Sequence, residues 1–248
     1  MRIRLSELVV TRHGQSVSNV AFAKAEAAGL TESGATGPDV DVPLSPLGRT
    51  QAAALGRGLA ARPPVVPAPE IVVCSPYLRA RQTWEIAART AATHGLSLPE
   101  PALDARLGDR AMGQLELLTT AAIAHRFPAE AARRDAEGEF SYRPPGGESF
   151  GDIADRLTAL LADLDRRYPG RRVLLVAHDA VVLILRQMIE GLTTDDLAAI
   201  TARDPARNAA LTRFVGNGER LALAGYNLAA HLDDTREPGT QPAVRPEK

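Results

Sequence analysis

Three short apolar runs rich in β-branched residues constrain the fold of this chain more than any other feature. Leu8-Val9-Val10, Ile71-Val72-Val73-Cys74 and Val173-Leu174-Leu175-Val176-Ala177 each have the length and composition of a strand buried on both faces. Segments of helical period lie between and after them. Ser45-Pro46-Leu47 opens one with a serine cap and a proline in the first turn, and apolar residues recur at Leu47, Ala54, Leu55 and Leu59, to about Ala61. Ser75-Pro76 repeats that signature before a helix to about Thr93. Phe150 to Tyr168 carries Ile153, Leu157, Leu160, Leu161 and Leu164 on one face, and Ala180 to Ile189 leaves the third strand as a helix. Asn208 to Val215 and Arg220 to Tyr226 flank Gly216-Asn217-Gly218 as a hairpin. The alternation predicts an α/β fold of three layers, α/β/α, in which a mainly parallel sheet carries helices on both faces and the hairpin closes one edge.

The 248 residues suit one domain over 1–233, with an inserted lid at about 98–145 where Pro99, Pro101, Gly108, Gly113, Pro128 and Gly138 break the pattern around a helix near Thr119 to Arg126. Ala21 to Pro43 reads as a helical piece followed by a long loop, and 234–248, with three prolines, as a disordered tail. Lys and Arg number 29 against 30 for Asp and Glu, so no global field gathers nucleic acid or an anionic membrane; any anion site must be local. The longest apolar candidate, Val173 to Leu185, is interrupted by His178 and Asp179 and is short of the ~20 residues a membrane span needs. Met1 to Arg4 is a basic start without the apolar core of a signal peptide, and a single cysteine, Cys74, fits a reducing compartment. The expected location is the cytoplasm.

In such folds ligands gather at the carboxyl ends of the strands, and here those ends carry Arg12-His13-Gly14, Ser75 to Arg81, and His178-Asp179. An imidazole accepts a phosphoryl group near neutral pH when it is held neutral and aimed. Arginine forks and helix N-termini neutralise the oxygens around the phosphorus, and Gly14 would let the backbone approach them closely. The histidines and carboxylates lack local metal-ligand spacing, so no metal is expected.

Thr11-Arg12-His13-Gly14-Gln15-Ser16-Val17-Ser18-Asn19 resembles the R-H-G-x-S-x-x-N signature of the histidine phosphatase superfamily, also called phosphoglycerate mutase-like. The resemblance continues in order through Asp41-Val42-Pro43-Leu44-Ser45 with Gly48 and Gln51, Ser75 to Ala80, Gly146-Gly147-Glu148-Ser149 and His178, covering about residues 5 to 230. It implies that His13 becomes a phosphohistidine, that Arg12, Arg79 and His178 bind the phosphate oxygens, and that Asn19 and Ser16 belong to the substrate pocket. The family's proton donor is an acid four residues before a glycine, which places the role on Asp109, before Gly113. Asp179 is the alternative donor, since one branch of the superfamily uses the aspartate after its second histidine, and Glu116 is a further candidate. Gly146 to Ser149 reads as a turn and helix cap rather than a substrate contact.

The resemblance implies a phosphomonoester hydrolase acting on a small phosphorylated metabolite, with no cofactor, no nucleic-acid or membrane partner, and a homodimer as the one assembly entertained. A phosphoglycerate mutase is the alternative. Its aromatic-glycine stretch and the arginine pair that holds the substrate carboxylate are missing in place, although Arg133-Arg134 forms a pair in another context and Arg134 could reach substrate. The second half looks more like the fructose-2,6-bisphosphatase and broad-specificity branch, but Asp179 and Leu183 replace the glutamine and arginine that hold the sugar phosphate there. A catalytically silent binding protein on the same fold is the remaining alternative.

Overall fold

The structure, a computed structural model, describes residues 3–235. The expected tail lies outside these residues from 236 onward; 234 and 235 belong to a 3-10 turn, Ala230–Thr235. Six strands, β1 (Glu7–Arg12), β2 (Ile71–Cys74), β3 (Ala102–Leu103), β4 (Arg172–Ala177), β5 (Leu211–Gly216) and β6 (Leu221–Leu228), form one sheet in the order β3-β2-β4-β1-β5-β6. β1 to β4 run parallel, and the antiparallel β5–β6 hairpin closes the edge beside β1. The three-layer expectation is met. Leu8, Val10, Val173 and Leu175 face one apolar layer with α6 (Phe150–Arg167) and α7 (Asp179–Glu190), while Val9, Val72, Leu174 and Val176 face the other with α2 (Pro46–Ala60) and α3 (Leu78–Thr93). Period-two alternation on strands apolar on both faces produces this division.

Register brings the strand ends together. Arg12 pairs with Ala177 and Cys74 with Val176, so the next residue of each strand lies on one edge of the sheet; His13 N–H and Ser75 N–H still donate to the carbonyls of Ala177 and Val176, both at 2.9 Å.

The α6 expectation holds to within a residue, and Ser149 caps it in a reciprocal pair with Asp152. Ser75 differs from expectation. It is no helix cap, because α3 starts only at Leu78, behind Tyr77, and the Ser75 hydroxyl turns to His178 instead. α1 (Val17–Ala27) begins before the expected Ala21, capped by Ser16, and the following loop holds only a 3-10 turn at Asp39–Asp41. The segment assigned to the lid contains α4 (Thr120–Arg126), as expected, and an unexpected α5 (Pro128–Glu137), which buries no residue and so leaves no apolar stripe to read. α8 (Thr194–Arg203) was equally hidden, since it buries only Leu197. Leu115, Ile123 and Tyr142 form a small apolar cluster of their own in the lid segment.

Gly14 is required, for a reason other than the one the sequence suggested. A Cβ there would stand 2.5 Å from the carbonyl oxygen of Gly48, and one on Gly48 would stand 2.0 Å from that of Gln15. The two glycines interlock the turn after β1 with the first turn of α2.

Candidate active site

His13 is 2% exposed at the floor of a cavity of about 510 Å³. Its Nδ1 lies 2.7 Å from the Gly14 carbonyl oxygen, which can only accept, so the proton sits on Nδ1 and Nε2 keeps its lone pair. Burial, then the positive fields of His178, Arg12 and Arg79, hold the ring well below the ordinary histidine value, so it is neutral at physiological pH. Nε2 is the unprotonated ring nitrogen, and the Nε–H of Arg79 donates to it at 3.2 Å.

Arg79, in the first turn of α3 and 3% exposed, has its whole fork engaged. Nη1 donates to the Asp39 carbonyl at 2.7 Å and to Asp39 Oδ1 at 3.1 Å; Nη2 donates to Asp39 Oδ2 and to Asp109 Oδ2, both at 2.8 Å. His178 caps the start of α7 and is fully buried. Ser75 Oγ accepts the Tyr77 N–H at 3.3 Å and lies in hydrogen-bond contact with His178 Nε2 at 2.9 Å. Nδ1 stands 3.2 Å from Asp109 Oδ2 without the alignment of a hydrogen bond. Arg12 donates to the Ala206 carbonyl at 2.8 Å and pairs with Asp179 at 3.1 Å, while its buried Nε finds no acceptor among the described residues.

Asp109 therefore bridges Arg79 and His178. Burial pushes its carboxyl up, but His178 and Arg79 outweigh burial and hold it well below the usual carboxylate range. Its backbone is fixed from α6 by the Arg156 guanidinium, which donates to the Gly108 carbonyl at 2.9 Å and that of Asp109 at 3.3 Å and pairs with Glu148. Asp179 lies at the mouth, its side chain 45% exposed. Glu116 lines the same cavity and accepts the Met112 N–H at 3.0 Å; burial, then Asp39 and Asp109, push its carboxyl up against the Met112 hydrogen bond. Ser16 and Asn19 line the cavity too, with Ser16 Oγ and Asn19 Oδ1 spent on capping α1, at 3.1 and 3.0 Å. Arg133 and Arg134 stay outside the cavity lining, paired with Glu130 and Glu139 at 2.6 and 2.5 Å.

His13, Asp109 and His178 converge closely enough, within 4.8 Å, to raise the question of a metal. The Arg79 guanidinium touches two of the three, and a cation between them would meet that charge at contact distance. The arrangement suits an anion and mobile protons. The sequence reading had no signal for Asp39, since an aspartate in a long exposed loop resembles any other. It also missed Arg156 and the Ser75–His178 pair, which exist only through tertiary contact.

The model of the histidine phosphatase superfamily (branch 1) matches residues 8–229. The chain belongs to this superfamily. The glucosyl-3-phosphoglycerate phosphatase of Mycobacterium tuberculosis is 31% identical over 90% of this chain and 87% of its own length. The 2,3-bisphosphoglycerate-dependent phosphoglycerate mutase of Rhizobium etli is 32% identical over 79% and 86%. Among solved structures, a mycobacterial glucosyl-3-phosphoglycerate phosphatase in complex with VO3 superposes with a TM-score of 0.68 at 30% identity, over 90% of this chain and 98% of that one. The expectation of a phosphatase of this superfamily, an enzyme hydrolysing a small phosphorylated metabolite, is met. Among the described residues of this histidine phosphatase, no helix is long and apolar enough to cross a membrane.

Proposed function

We propose that this histidine phosphatase hydrolyses phosphomonoesters through a phosphohistidine on His13, with Arg12, Arg79 and His178 holding the phosphoryl oxygens and Asp109 moving the proton. The observation that carries the reading is the state of His13: buried, neutral, with an Nε2 lone pair facing an arginine fork. Nε2 attacks phosphorus, the ester P–O bond breaks, and the leaving oxygen takes a proton from the Asp109 carboxyl. The resulting carboxylate then takes a proton from water, whose oxygen attacks phosphorus; the N–P bond breaks, and inorganic phosphate leaves with His13 neutral again.

Asp109 has to be protonated at the first step although it is ionised in the free enzyme. A phosphate dianion that takes over Arg79 and His178 removes the two partners lowering its pKa and adds a like charge beside it, both of which raise that pKa. Asp179, half-exposed, pairs with Arg12 and forms no ion pair with His178 or Arg79. Binding must also displace Asp39 from the Arg79 fork, leaving the guanidinium free for bidentate contact with phosphate.

Hydrolysis is favoured over mutase chemistry because the mutase's arginine pair is missing in place, and Arg133 and Arg134, the pair elsewhere in the chain, stay off the cavity lining, tied to Glu130 and Glu139. Cys74 takes no part in the chemistry: it is buried, and burial pushes its thiol up to about 12. The test is phosphate release from p-nitrophenyl phosphate and a panel of sugar and glycerate phosphates with no bisphosphate added. Release without a primer supports the reading; phosphoryl movement that needs a bisphosphate and yields no free phosphate makes the protein a mutase.

A further inference from the structure

The cavity extends well beyond the room a phosphoryl group needs, and its outer part has a definite chemistry. Its lining contains three arginines and five carboxylates, and each arginine is matched. Arg79 carries Asp39 and Asp109, and Arg12 carries Asp179; both are the arginines that the phosphoryl group itself claims under the proposed function. The third, Arg110, is walled in: it donates to Glu139 at 2.6 Å, to the carbonyls of Glu148 and Tyr142 at 3.0 and 2.7 Å, and stacks over Phe150 with its central carbon 4.4 Å from the ring centre. Glu116 accepts the Met112 N–H and forms no ion pair among the described residues, feeling Arg79 only as a more distant charge. A second anionic group on the substrate would find no cation to meet it and would face that carboxylate.

The lining also holds a set of apolar side chains, Phe22, Met112, Leu117, Leu118 and Leu183, beside the polar Ser18 and Thr201. Leu117 stands out in it, with a φ of 57°, in the left-handed region that glycine enters without steric cost. A leucine kept there, with its side chain on the cavity wall, points to a contact worth the strain.

We infer that the leaving alcohol of the physiological substrate carries an apolar body and no second anionic group, with Glu116 and Leu117 as the residues that set this preference. The inference rests on the phosphatase reading and sharpens it: selectivity here comes as much from repelling the wrong ester as from holding the right one. It separates this protein from relatives named for a phosphoglycerate, an ester with a carboxylate.

The purified full chain is assayed on two pairs of esters that differ by a carboxylate: phenyl phosphate against 3-carboxyphenyl phosphate, and glycerol 2-phosphate against 2-phosphoglycerate. The uncharged member of each pair should show a kcat/KM higher by roughly tenfold or more, the size of one unscreened like-charge contact. Glu116→Gln, which keeps an oxygen for the Met112 N–H, should narrow both gaps severalfold. Leu117→Gly should raise Tm yet lower kcat/KM for phenyl phosphate more than for glycerol 2-phosphate. Carboxylated esters turned over as well as their partners, or gaps that Glu116→Gln leaves unchanged, overturn the charge selection; an unchanged phenyl-to-glycerol ratio in Leu117→Gly overturns the apolar contact. Failure to release phosphate from any of the four overturns the phosphatase reading itself, and is told apart from a selectivity failure, in which the carboxylated ester is hydrolysed.

Discussion

The floor and the outer wall of the same cavity are built in different ways. The floor stands on adjacent strand ends: β1, β4 and β2 present His13, His178 and Ser75 in register, fixed by ladder hydrogen bonds that continue past the strands. The wall comes from the 110–142 segment with Phe22 of α1 and Leu183 of α7, and that segment is held by a small separate cluster and by ion pairs such as Arg110–Glu139. A sheet edge fixes atoms to the tolerance that phosphoryl transfer needs, while a wall of exchangeable side chains can change its chemistry without disturbing that edge. Under the proposed function the floor, with Arg79 and Asp109, carries the reaction, and the wall carries the choice of ester.

The largest expected effect breaks the floor. His13→Ala removes the proposed nucleophile, and phosphate release from p-nitrophenyl phosphate should fall by about 10⁴-fold or more, as for a residue that works with the rest of its site as a unit. A smaller loss would move the covalent step elsewhere.

Next comes the contrast between the two acids. Asp109→Asn should lower kcat by about 10²- to 10³-fold for an alkyl phosphate, the range for general acid catalysis, and less for p-nitrophenyl phosphate, whose leaving group needs no proton. Asp179→Asn should cost under about tenfold with either ester, because its charge is half-exposed at the mouth. The reverse ranking would transfer the donor role to Asp179.

Stability separates the regions as well. Leu175→Ala, in the central strand between the two helical layers, should lower unfolding free energy by about 3–5 kcal/mol. Leu115→Ala loosens only the cluster with Ile123 and Tyr142, so it should cost under about 2 kcal/mol of global stability while lowering kcat/KM more than Leu175→Ala does. Denaturant titration beside steady-state assays reads both.

The smallest effect is a pH dependence. His13 has its folded pKa below the unfolded one, so the unfolded chain binds the proton more readily. Stability is retained above about pH 6.5 and lost as pH falls from there towards the folded pKa, at up to about 1.4 kcal/mol per pH unit from this group. His13→Gln should lose less stability than wild type between pH 7 and 5, by about 1–2 kcal/mol. An equal loss in both would mean that His13 protonates in the fold as easily as in the open chain.

The same division explains what could be read in advance. The three strands, α6 and the residues of the floor are legible because apolar periodicity and the motif around His13 are local. Asp39, Arg156 and the partners of Arg110 are distant in sequence from what they touch, and a charged side chain in a loop carries no mark of its destination. α5 and α8 escaped notice because almost nothing on them is buried. Gly14 was expected to make room for an anion, and it makes room for the carbonyl of Gly48.

The most direct test of the central claim is an acid-free quench of the full chain during turnover of a radiolabelled phosphomonoester, followed by peptide mapping. The account predicts a transient, acid-labile adduct on His13 that is absent from His13→Ala and accumulates in Asp109→Asn. Label on another residue, or phosphate release with no adduct on His13 at any time, would contradict it.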